Sequence, residues 1–288
     1  MLFSLERVWT CDVYRAGDGV HAAWLQRRAP YGPWWQRLAR RFNRRHRDVL
    51  EIEQHLLGGG GTDRVIANSH LVKAEIEEHF GFPGEQIHVI HNGVPHADAV
   101  PGARAAVRRE LGLSDSEYVI LFVGSGWERK GLRYAVKAMN AARLRDATLL
   151  VAGRGNRGSI PRSKQVRYLG PREDVPLLLA ASDLFVLPTI YDPFSNACLE
   201  AAAAAKPVVT TRHNGFAEIM EPGVHGEVLA EPSDVEALAR AITEWAPRER
   251  RAEAALGLRE LGARFSVEEN VRQSLAILSE AAAGRSAR

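Results

Sequence analysis

The sequence predicts an α/β protein with two Rossmann-like domains, of which the first is incomplete. Short apolar segments rich in β-branched residues alternate with helical segments, and this alternation requires crossover connections and parallel sheets. The chain has 288 residues, which is enough for two cores of ordinary size. Its composition, 45% hydrophobic and 25% charged, is typical of a globular protein and excludes a disordered chain.

The first predicted domain, residues 1–96, contains only about three strands, at 12–15, 64–67 and 87–90. A long helix is expected to begin at Pro33 and to end at the four glycines 58–61, where glycine releases the chain. A second helix is expected at 71–80, with Ser69 as its N-cap and Gly81 as its stop. Three strands make the domain smaller than a complete Rossmann-like domain.

The second predicted domain, residues 97–288, follows a stretch of turn formers at 92–102 and includes the terminal helices. Ligands bind beyond the carboxyl ends of the strands in such sheets, so the loops after these strands should carry the chemistry. The six predicted strands are 118–123, 149–152, 166–169, 184–187, 208–210 and 227–229.

Charge and cysteine content exclude several classes of protein. The net charge is only +3, and the two cysteines, Cys11 and Cys198, are far apart in sequence, so neither a disulfide framework nor a cysteine metal site is supported. No apolar run approaches the ~20 residues needed to span a bilayer, and the charged start does not fit a secretory signal. We therefore expect a protein of the reducing cytoplasm.

A glycine-rich loop follows the strand at 118–123. It reads Gly124-Ser125-Gly126-Trp127-Glu128-Arg129-Lys130-Gly131 and runs into a helix. Small residues let backbone N–H groups approach phosphate oxygens, and the adjacent Arg129 and Lys130 can neutralise a diphosphate. The spacing does not fit a Walker loop. Taken alone, the loop is also compatible with an ordinary strand-to-helix turn with solvated charges.

A second candidate element, residues 188–200, follows the strand at 184–187. Asp192 lies in the loop, and a helix is expected to start near Ser195 with its positive dipole end directed into the same crevice as the two cations. Glu200 lies on the first turns of that helix, where it can accept hydrogen bonds from a ribose diol. The alternative roles are helix capping for Asp192 and a surface salt bridge for Glu200.

Together these motifs resemble the retaining glycosyltransferases of family four, which have the GT-B fold. The resemblance runs from about residue 65 to the end of the chain. It is closest to the glucosyltransferases that extend the lipopolysaccharide inner core. The co-linear motifs are Val-Ile-Ala-Asn-Ser at 65–69, Ile-His-Asn-Gly-Val at 90–94, Arg-Lys-Gly at 129–131, Val-Ala-Gly at 151–153, Leu-Gly at 169–170, Ala-Ser-Asp at 181–183, the two acids Asp192 and Glu200, and Pro-Val-Val-Thr at 207–210.

The resemblance implies a role for each matching residue. Arg129 and Lys130 would hold the donor diphosphate, Glu200 the ribose and Asp192 the transferred sugar. Arg172 would flank the base, and Gly124 and Ser125 would add donor contacts. Backbone N–H groups would be offered to the sugar and the phosphate by Phe194, Ser195 and Asn196. This chain departs from the family in having Asp192 where Glu is usual and Ser195 where Gly is common, so the sugar could differ.

Breaking the anomeric bond places negative charge on the leaving diphosphate. Fixed cations and a helix dipole can stabilise that charge, so we expect neither a metal nor another cofactor. The resemblance implies retention of configuration, with the acceptor proton passing to a diphosphate oxygen and with no enzymatic nucleophile.

The first domain offers fewer candidates. Asp18 and His21 follow a strand end and are candidates for contact with the acceptor or the donor sugar, or else a turn aspartate and a packed histidine. His88, His91 and His96 cluster in sequence but lack partner acids for a zinc site. The glycine turn that opens such a domain is absent, which predicts that its first strands are truncated or separately encoded.

The basic segment from Trp34 to Arg47 has two interpretations. Its six arginines could meet an anionic membrane surface while the aromatic residues enter the headgroup region, or the apolar face could pack on the sheet with the arginines in water. Nucleic acid is disfavoured because no binding motif accompanies the charge. The resemblance favours the membrane interpretation. The arginines are Arg37, Arg40, Arg41, Arg44, Arg45 and Arg47.

Three functional hypotheses remain open. The first is an enzyme at the inner face of the inner membrane that moves a hexose from a nucleotide diphosphate sugar, such as a UDP-sugar, to a glycolipid or a lipopolysaccharide-core oligosaccharide. The second is a non-catalytic nucleotide-sugar-binding subunit that needs a partner chain. The third is a GT-B-type epimerase, which the spacing from Asp192 to Glu200 argues against.

Overall fold

The fold was obtained as a computed structural model that describes residues 1–32, 43–95 and 102–286. The chain divides into two compact units, each with its own parallel sheet. Unit 1 comprises Met1–Gly93, Tyr191–Phe194 and Val267–Arg288. Unit 2 comprises Val94–Ile190 and Ser195–Ser266. The predicted α/β class with parallel sheets is therefore confirmed.

The described part of unit 1 contains four parallel strands that are adjacent in chain order. The sequence predicted about three, because β1 is only two residues long and gives no periodic signal. The strands are β1 (Phe3–Ser4), β2 (Val13–Ala16), β3 (Arg64–Ala67) and β4 (Ile87–Val89). The helices are α1 (His21–Arg28), α2 (Arg44–Glu53), α3 (His70–Phe80) and α10 (Val267–Ser286).

The core of unit 1 lies on both faces of its sheet. Val65 and Ala67 point into one apolar cluster, together with Leu56 of the turn after α2. Ile66 and Val13 point to the opposite face and pack against residues of α10. Strands of a parallel sheet are covered on both sides, which is why β3 is apolar at consecutive positions.

Helix α10 corrects the predicted domain division, which assigned residues 97–288 to the second domain. Its Ile277 and Leu278 pack beneath β2 and β3 of unit 1. An ion pair between Arg64 and Glu280 at 3.2 Å lies at the same surface, and Asn270 Nδ2 donates to the carbonyl oxygen of His91. The helix joins unit 1 because its apolar stripe covers a sheet face that would otherwise be exposed.

The predicted long helix at 33–58 is only partly described, since residues 33–42 lie outside the described ranges. The described portion consists of α2 and a π-helical turn, Gln54–Gly58, that ends before Gly59. Helix α1 was not predicted. The caps of α3 are confirmed, since Ser69 Oγ accepts from Val72 N and Gly81 has a φ of 64°, which favours glycine.

Unit 2 contains six parallel strands in the order β10-β9-β8-β5-β6-β7. All six were predicted, because long apolar runs between turn formers mark buried parallel strands. The strands are β5 (Tyr118–Val123), β6 (Ala147–Ala152), β7 (Val166–Gly170), β8 (Leu184–Leu187), β9 (Val208–Thr211) and β10 (Gly226–Leu229). The helices are α4 (Ala103–Glu110), α5 (Leu132–Ala142), α6 (Val175–Ala181), α7 (Asn196–Ala203), α8 (Val235–Glu244) and α9 (Arg248–Arg264).

The strand order places the switch point of unit 2 between β5 and β8. Strand β5 continues to β6 on one side, whereas β8 continues to β9 on the other. Because the two crossovers leave in opposite directions, the loops after β5 and β8 part at the carboxyl end of the sheet. This is the position that such folds use for ligands.

Candidate functional site

The glycine-rich loop after β5 is fixed by backbone hydrogen bonds. Gly124 N donates to Ala152 O at 3.0 Å, and Gly126 N donates to Arg154 O at 2.9 Å. Lys130 N donates to Gly126 O at 3.2 Å and closes the turn before α5. Ser125 Oγ accepts from Arg154 N at 3.3 Å. The loop is therefore held to the neighbouring loop after β6.

The two adjacent cations are held by the loop after β8. Ile190 N and Thr189 Oγ1 both donate to the carbonyl oxygen of Arg129, at 2.8 and 2.9 Å. A Cβ at Gly131 would lie 1.8 Å from Pro188 O, so only glycine allows this approach. The main chain beneath Arg129 and Lys130 is thereby fixed, while their side chains are half-buried at the carboxyl end of the sheet.

Helix α7 begins where the sequence predicted, and Ser195 is its cap. Ser195 Oγ accepts from Cys198 N at 3.4 Å, so the cap is Ser195 and not Asp192. Ser195 N donates to Asn214 Oδ1 at 3.1 Å. That N–H was expected to serve the donor, but in this structure it is engaged inside the protein. Asn196, the first residue of the helix, is exposed.

Asn214 is a site residue that the sequence reasoning missed. It is 1% exposed, and its Oδ1 accepts from Phe216 N at 3.1 Å as well as from Ser195 N. Its Nδ2 donates to Thr210 Oγ1 at 3.0 Å. Asn214 therefore joins the start of α7 to the loop after β9. Ligand contacts were expected in the loops that follow the strands. An asparagine in the loop after β9 was therefore the signal in the sequence that could have identified this residue.

Glu200 lies in the second turn of α7 and is half-buried. Burial raises the pKa of its carboxyl group. Within the described ranges its carboxylate makes neither a hydrogen bond nor an ion pair, so the surface salt bridge considered as its alternative role is not observed there. A desolvated carboxylate of this kind is suited to accept hydrogen bonds from a ligand diol.

Arg172, the residue expected to flank the base, follows β7. Its guanidinium forms a fork with Asp174, with Nε to Oδ1 at 2.7 Å and Nη2 to Oδ2 at 2.5 Å. This contact lowers the pKa of Asp174. The side chain therefore has an acidic partner within its own loop, and contact with a base would need to coexist with that ion pair or replace it.

Asp192 and Phe194 belong to the short segment Tyr191–Phe194, which groups with unit 1. Asp192 is 4% exposed. Pro193 O accepts from Ser69 Oγ at 2.7 Å, and the Phe194 ring lies 5.5 Å from the His91 ring, centre to centre. The main chain on the carboxyl side of Asp192 is therefore fixed within unit 1.

Asp18 lies on the turn between β2 and α1 in unit 1, and His21 is the first residue of α1. Asp18 is exposed and lies 3.4 Å from Arg7 Nη1. His21 Nε2 lies 3.0 Å from His46 Nδ1. Burial, with His46 and nearby arginines, lowers the pKa of His21 to about 4. His21 is therefore neutral at pH 7, and its ring is paired with that of His46.

Glu53 of α2 is a second residue that the sequence reasoning missed. It is 2% exposed, and its Oε1 accepts from Arg7 Nε and from His21 N, both at 2.8 Å. Burial raises the pKa of its carboxyl group. Because Val20 offers no side-chain cap for α1, Glu53 supplies an acceptor for the first N–H of that helix.

Other candidates add no chemistry to the site. The described residues contain no group of three or more histidine, cysteine or acidic side chains arranged to hold a metal ion, and His96 lies outside them. Cys11 and Cys198 are both buried free thiols. None of the described helices is long and apolar enough to cross a membrane.

Two family models match the chain. The model for glycosyl transferases group 1 matches residues 117–246, and the model for glycosyltransferase family 4 matches residues 17–98. The first match falls within unit 2 except for the segment Tyr191–Phe194, which belongs to unit 1. The second falls in the first segment of unit 1 and extends five residues beyond it.

Similar proteins agree with these models. An uncharacterized glycosyltransferase of Methanocaldococcus jannaschii is 30% identical over 205 residues, which are 65% of this chain and 52% of that protein. The lipopolysaccharide glucosyltransferase WaaG of Escherichia coli is 26% identical over 245 residues, 79% of this chain and 63% of WaaG. This chain thus spans between half and two thirds of the length of these relatives.

Solved structures show the same fold. A crystal structure of WaaG superposes with a TM-score of 0.79 at 22% identity and covers 94% of this chain and 76% of that one. The structure of Anabaena HepE in complex with UDP and glucose has a TM-score of 0.71 at 25% identity and covers 84% of this chain and 68% of that one. The two matched domains, their order and the shared fold lead to one conclusion: the chain belongs to the GT-B glycosyltransferases of group 1 and family 4.

Proposed function

We propose that this chain is a glycosyltransferase that moves a hexose from a nucleotide diphosphate sugar to a glycolipid or a core oligosaccharide. The proposal depends above all on one observation in unit 2. The Arg129–Lys130 turn is bound by its main chain to the loop after β8, and that loop leads to the helix that carries the uncompensated carboxylate of Glu200. Two cations and a diol acceptor are the groups that a nucleoside diphosphate requires.

The proposed mechanism follows the charge of the leaving group. As the anomeric bond breaks, negative charge grows on the diphosphate, and Arg129 and Lys130 stabilise it. Their main chain is already fixed, so little reorganisation accompanies the reaction. Asp192 binds the hydroxyls of the transferred sugar. The acceptor oxygen attacks on the face from which the diphosphate leaves, its proton passes to a diphosphate oxygen, and configuration is retained.

The donor is proposed to be a UDP-sugar. Support comes from HepE, whose structure holds UDP and glucose, and from WaaG, which is named a lipopolysaccharide glucosyltransferase. The shorter carboxylate of Asp192 and the capping Ser195 distinguish this chain from the usual family pattern, and we propose that they alter the choice of sugar.

The acceptor is proposed to be presented at an anionic membrane surface, with the enzyme bound to the cytoplasmic face. Residues 33–42 of the basic segment lie outside the described ranges. Of the remaining part, Arg44, Arg45 and Arg47 are exposed on α2. Exposed arginines near anionic lipid each contribute about 1 kcal/mol, so these three already provide a measurable attraction.

A second proposed function is that of a nucleotide-sugar-binding subunit that works with a partner chain. The chain spans 52% of the first relative and 63% of WaaG. The two functions differ in turnover. A complete enzyme releases UDP from UDP-glucose, slowly to water and faster with an acceptor, whereas a binding subunit retains the intact sugar nucleotide.

The test is calorimetric titration of the purified chain with UDP-glucose, UDP, GDP-mannose and ADP-glucose. Saturable binding of one nucleotide, weakened at least tenfold in Lys130→Ala and Glu200→Ala, is the expected result. The matched controls are Lys137→Ala and Glu253→Ala, which remove exposed charges from helices of the same unit. Absence of binding to a folded chain, or equal losses in the controls, would show that the donor site is wrongly assigned.

A further inference from the structure

The hydroxyl group of Tyr191 is the centre of a buried hydrogen-bond network in unit 1. It donates to Glu75 Oε2 at 2.7 Å and accepts from Val20 N at 3.0 Å. The other oxygen of Glu75 accepts from Arg27 Nη2 at 3.0 Å and from Nε at 3.2 Å. Tyr191 is 1% exposed and Glu75 3%. A buried carboxylate with both oxygens bound in this way is fixed in one geometry.

The groups around this hydroxyl pack closely against it and against its ring. Gly19 has a φ of 69°, and a Cβ there would lie 2.2 Å from the Tyr191 hydroxyl oxygen. On the other side, the Trp24 ring stacks on the Tyr191 ring at a centroid distance of 6.3 Å. Burial raises the pKa values of Tyr191 and of Glu75, so the phenol keeps the proton that it donates.

The network joins two segments that carry predicted site residues. Tyr191 directly precedes Asp192, the proposed sugar ligand, whose other neighbour Pro193 is held by Ser69. Val20 lies between Asp18 and His21, the candidates for the acceptor side. One hydrogen bond from Val20 to Tyr191 therefore ties the turn between β2 and α1 to the loop that carries Asp192.

We infer that Tyr191 and Glu75 are positioning residues that hold the carboxylate of Asp192 where it meets the hydroxyls of the donor sugar. The inference rests on the proposed function and assigns to it two residues whose side chains are buried. Without the hydroxyl of Tyr191, the loop that carries Asp192 loses its tie to Glu75 and to Val20. The sugar contact then weakens, whereas diphosphate binding by Arg129 and Lys130 in unit 2 does not depend on this network.

In each variant, the experiment compares the affinity for a nucleoside diphosphate with that for its sugar nucleotide. The pairs are UDP with UDP-glucose, GDP with GDP-mannose and ADP with ADP-glucose. The ratio within a pair isolates the contribution of the sugar. In Tyr191→Phe, which keeps the ring against Trp24, the nucleoside diphosphate should bind within about twofold of the wild type. The advantage of the sugar nucleotide should fall about tenfold, which corresponds to about 1.4 kcal/mol. Asp192→Asn defines the value expected when the sugar contact is lost.

Two further variants keep the test decisive. Glu75→Gln retains an acceptor for Tyr191 but weakens the bond to Arg27, so an intermediate loss is expected. Tyr118→Phe removes another buried hydroxyl, which donates to Ile242 O at 3.1 Å in unit 2, and it should leave the affinity ratio unchanged. If Tyr191 had a merely structural role, both tyrosine variants would lose thermal stability, and their ratios of sugar-nucleotide to nucleoside-diphosphate affinity would be the same.

The outcomes also separate this inference from the proposed function. If the wild type binds none of UDP, GDP and ADP, the donor-site proposal fails and the inference falls with it. If Asp192→Asn loses the advantage of the sugar nucleotide while Tyr191→Phe and Glu75→Gln keep it, the donor site stands and the positioning role is refuted. If Tyr191→Phe follows Asp192→Asn and Glu75→Gln falls between that variant and the wild type, while Tyr118→Phe follows the wild type, the positioning role is established.

Discussion

Replacement of Asn214 by alanine tests how the start of helix α7 is held. The change removes the acceptor for two backbone N–H groups, Ser195 N and Phe216 N, both bound at 3.1 Å, and also the donor to Thr210 Oγ1. A buried N–H left without a partner costs about 1–3 kcal/mol. We therefore expect a loss of about 3 kcal/mol, because small relaxations recover part of the two penalties.

Two measurements check this magnitude. Calorimetric unfolding should show a drop of about 6–12 °C in the transition of unit 2, since 1 kcal/mol corresponds to about 2–4 °C in a unit of this size. Hydrogen exchange should show faster exchange at the amides of Ser195 and Phe216. Nucleotide affinity should fall as well, because the amino-terminal end of α7 is displaced.

The matched control is Asn140→Ala on α5. Asn140 is exposed, and its Nδ2 donates to Arg162 O at 3.3 Å in an exposed hydrogen bond. Its replacement should change the stability by less than about 0.5 kcal/mol. A loss below about 1 kcal/mol for Asn214→Ala, or exchange at Ser195 as slow as in the wild type, would refute the argument that this side chain fixes the helix.

Three other predictions follow. Gly131→Ala should destabilise unit 2 by at least about 2 kcal/mol, because a methyl group there overlaps Pro188 O. Gly126→Ala has a similar φ but open space around it, and should cost only about 1 kcal/mol of backbone strain. Equal losses of stability in the two variants, measured by urea unfolding, would contradict this. The pKa of His21 is lowered to about 4 in the folded chain. As the pH is lowered, the unfolded chain therefore binds the proton before the folded chain does. The stability of the folded chain should fall between about pH 6.5 and pH 4, and this fall should be smaller in His21→Asn. Less protein should sediment with anionic vesicles when three exposed arginines are changed to glutamate. If the wild type bound neutral vesicles as well as anionic ones, the interpretation of this segment as a contact for anionic membranes would be excluded. Those arginines are Arg44, Arg45 and Arg47.

Local patterns predicted much of the fold. The six strands of unit 2 are long apolar runs between turn formers, and the caps of α3, Ser69 and Gly81, are local signals that need no tertiary contact. The start of α7 at Ser195 was predicted for the same reason. Strand β1 and helix α1 were missed because a two-residue strand has no period and α1 lacks a side-chain cap.

The partners of buried polar groups could not be predicted in this way. Tyr191 and Glu75 are 116 positions apart, and Glu53 meets Arg7 across 46 positions. A periodic pattern shows that a residue is buried but not which polar group it meets. The same holds for Asn214, whose acceptor and donor atoms are shared among a helix start, a strand end and a following turn.

The sequence by itself determined the α/β class, the two cations after β5, the two acids of the loop and helix after β8, and the family that these motifs resemble. Each of these depends on residues that are close in the chain or at fixed spacing. Only the tertiary structure decided that α10 and Tyr191–Phe194 belong to unit 1, that the Ser195 N–H is engaged by Asn214, and that Glu75 and Glu53 hold the turns around them. These features depend on which apolar face covers which sheet and on which buried donor finds which acceptor, and both are set by packing across the whole chain rather than by any local stretch of it.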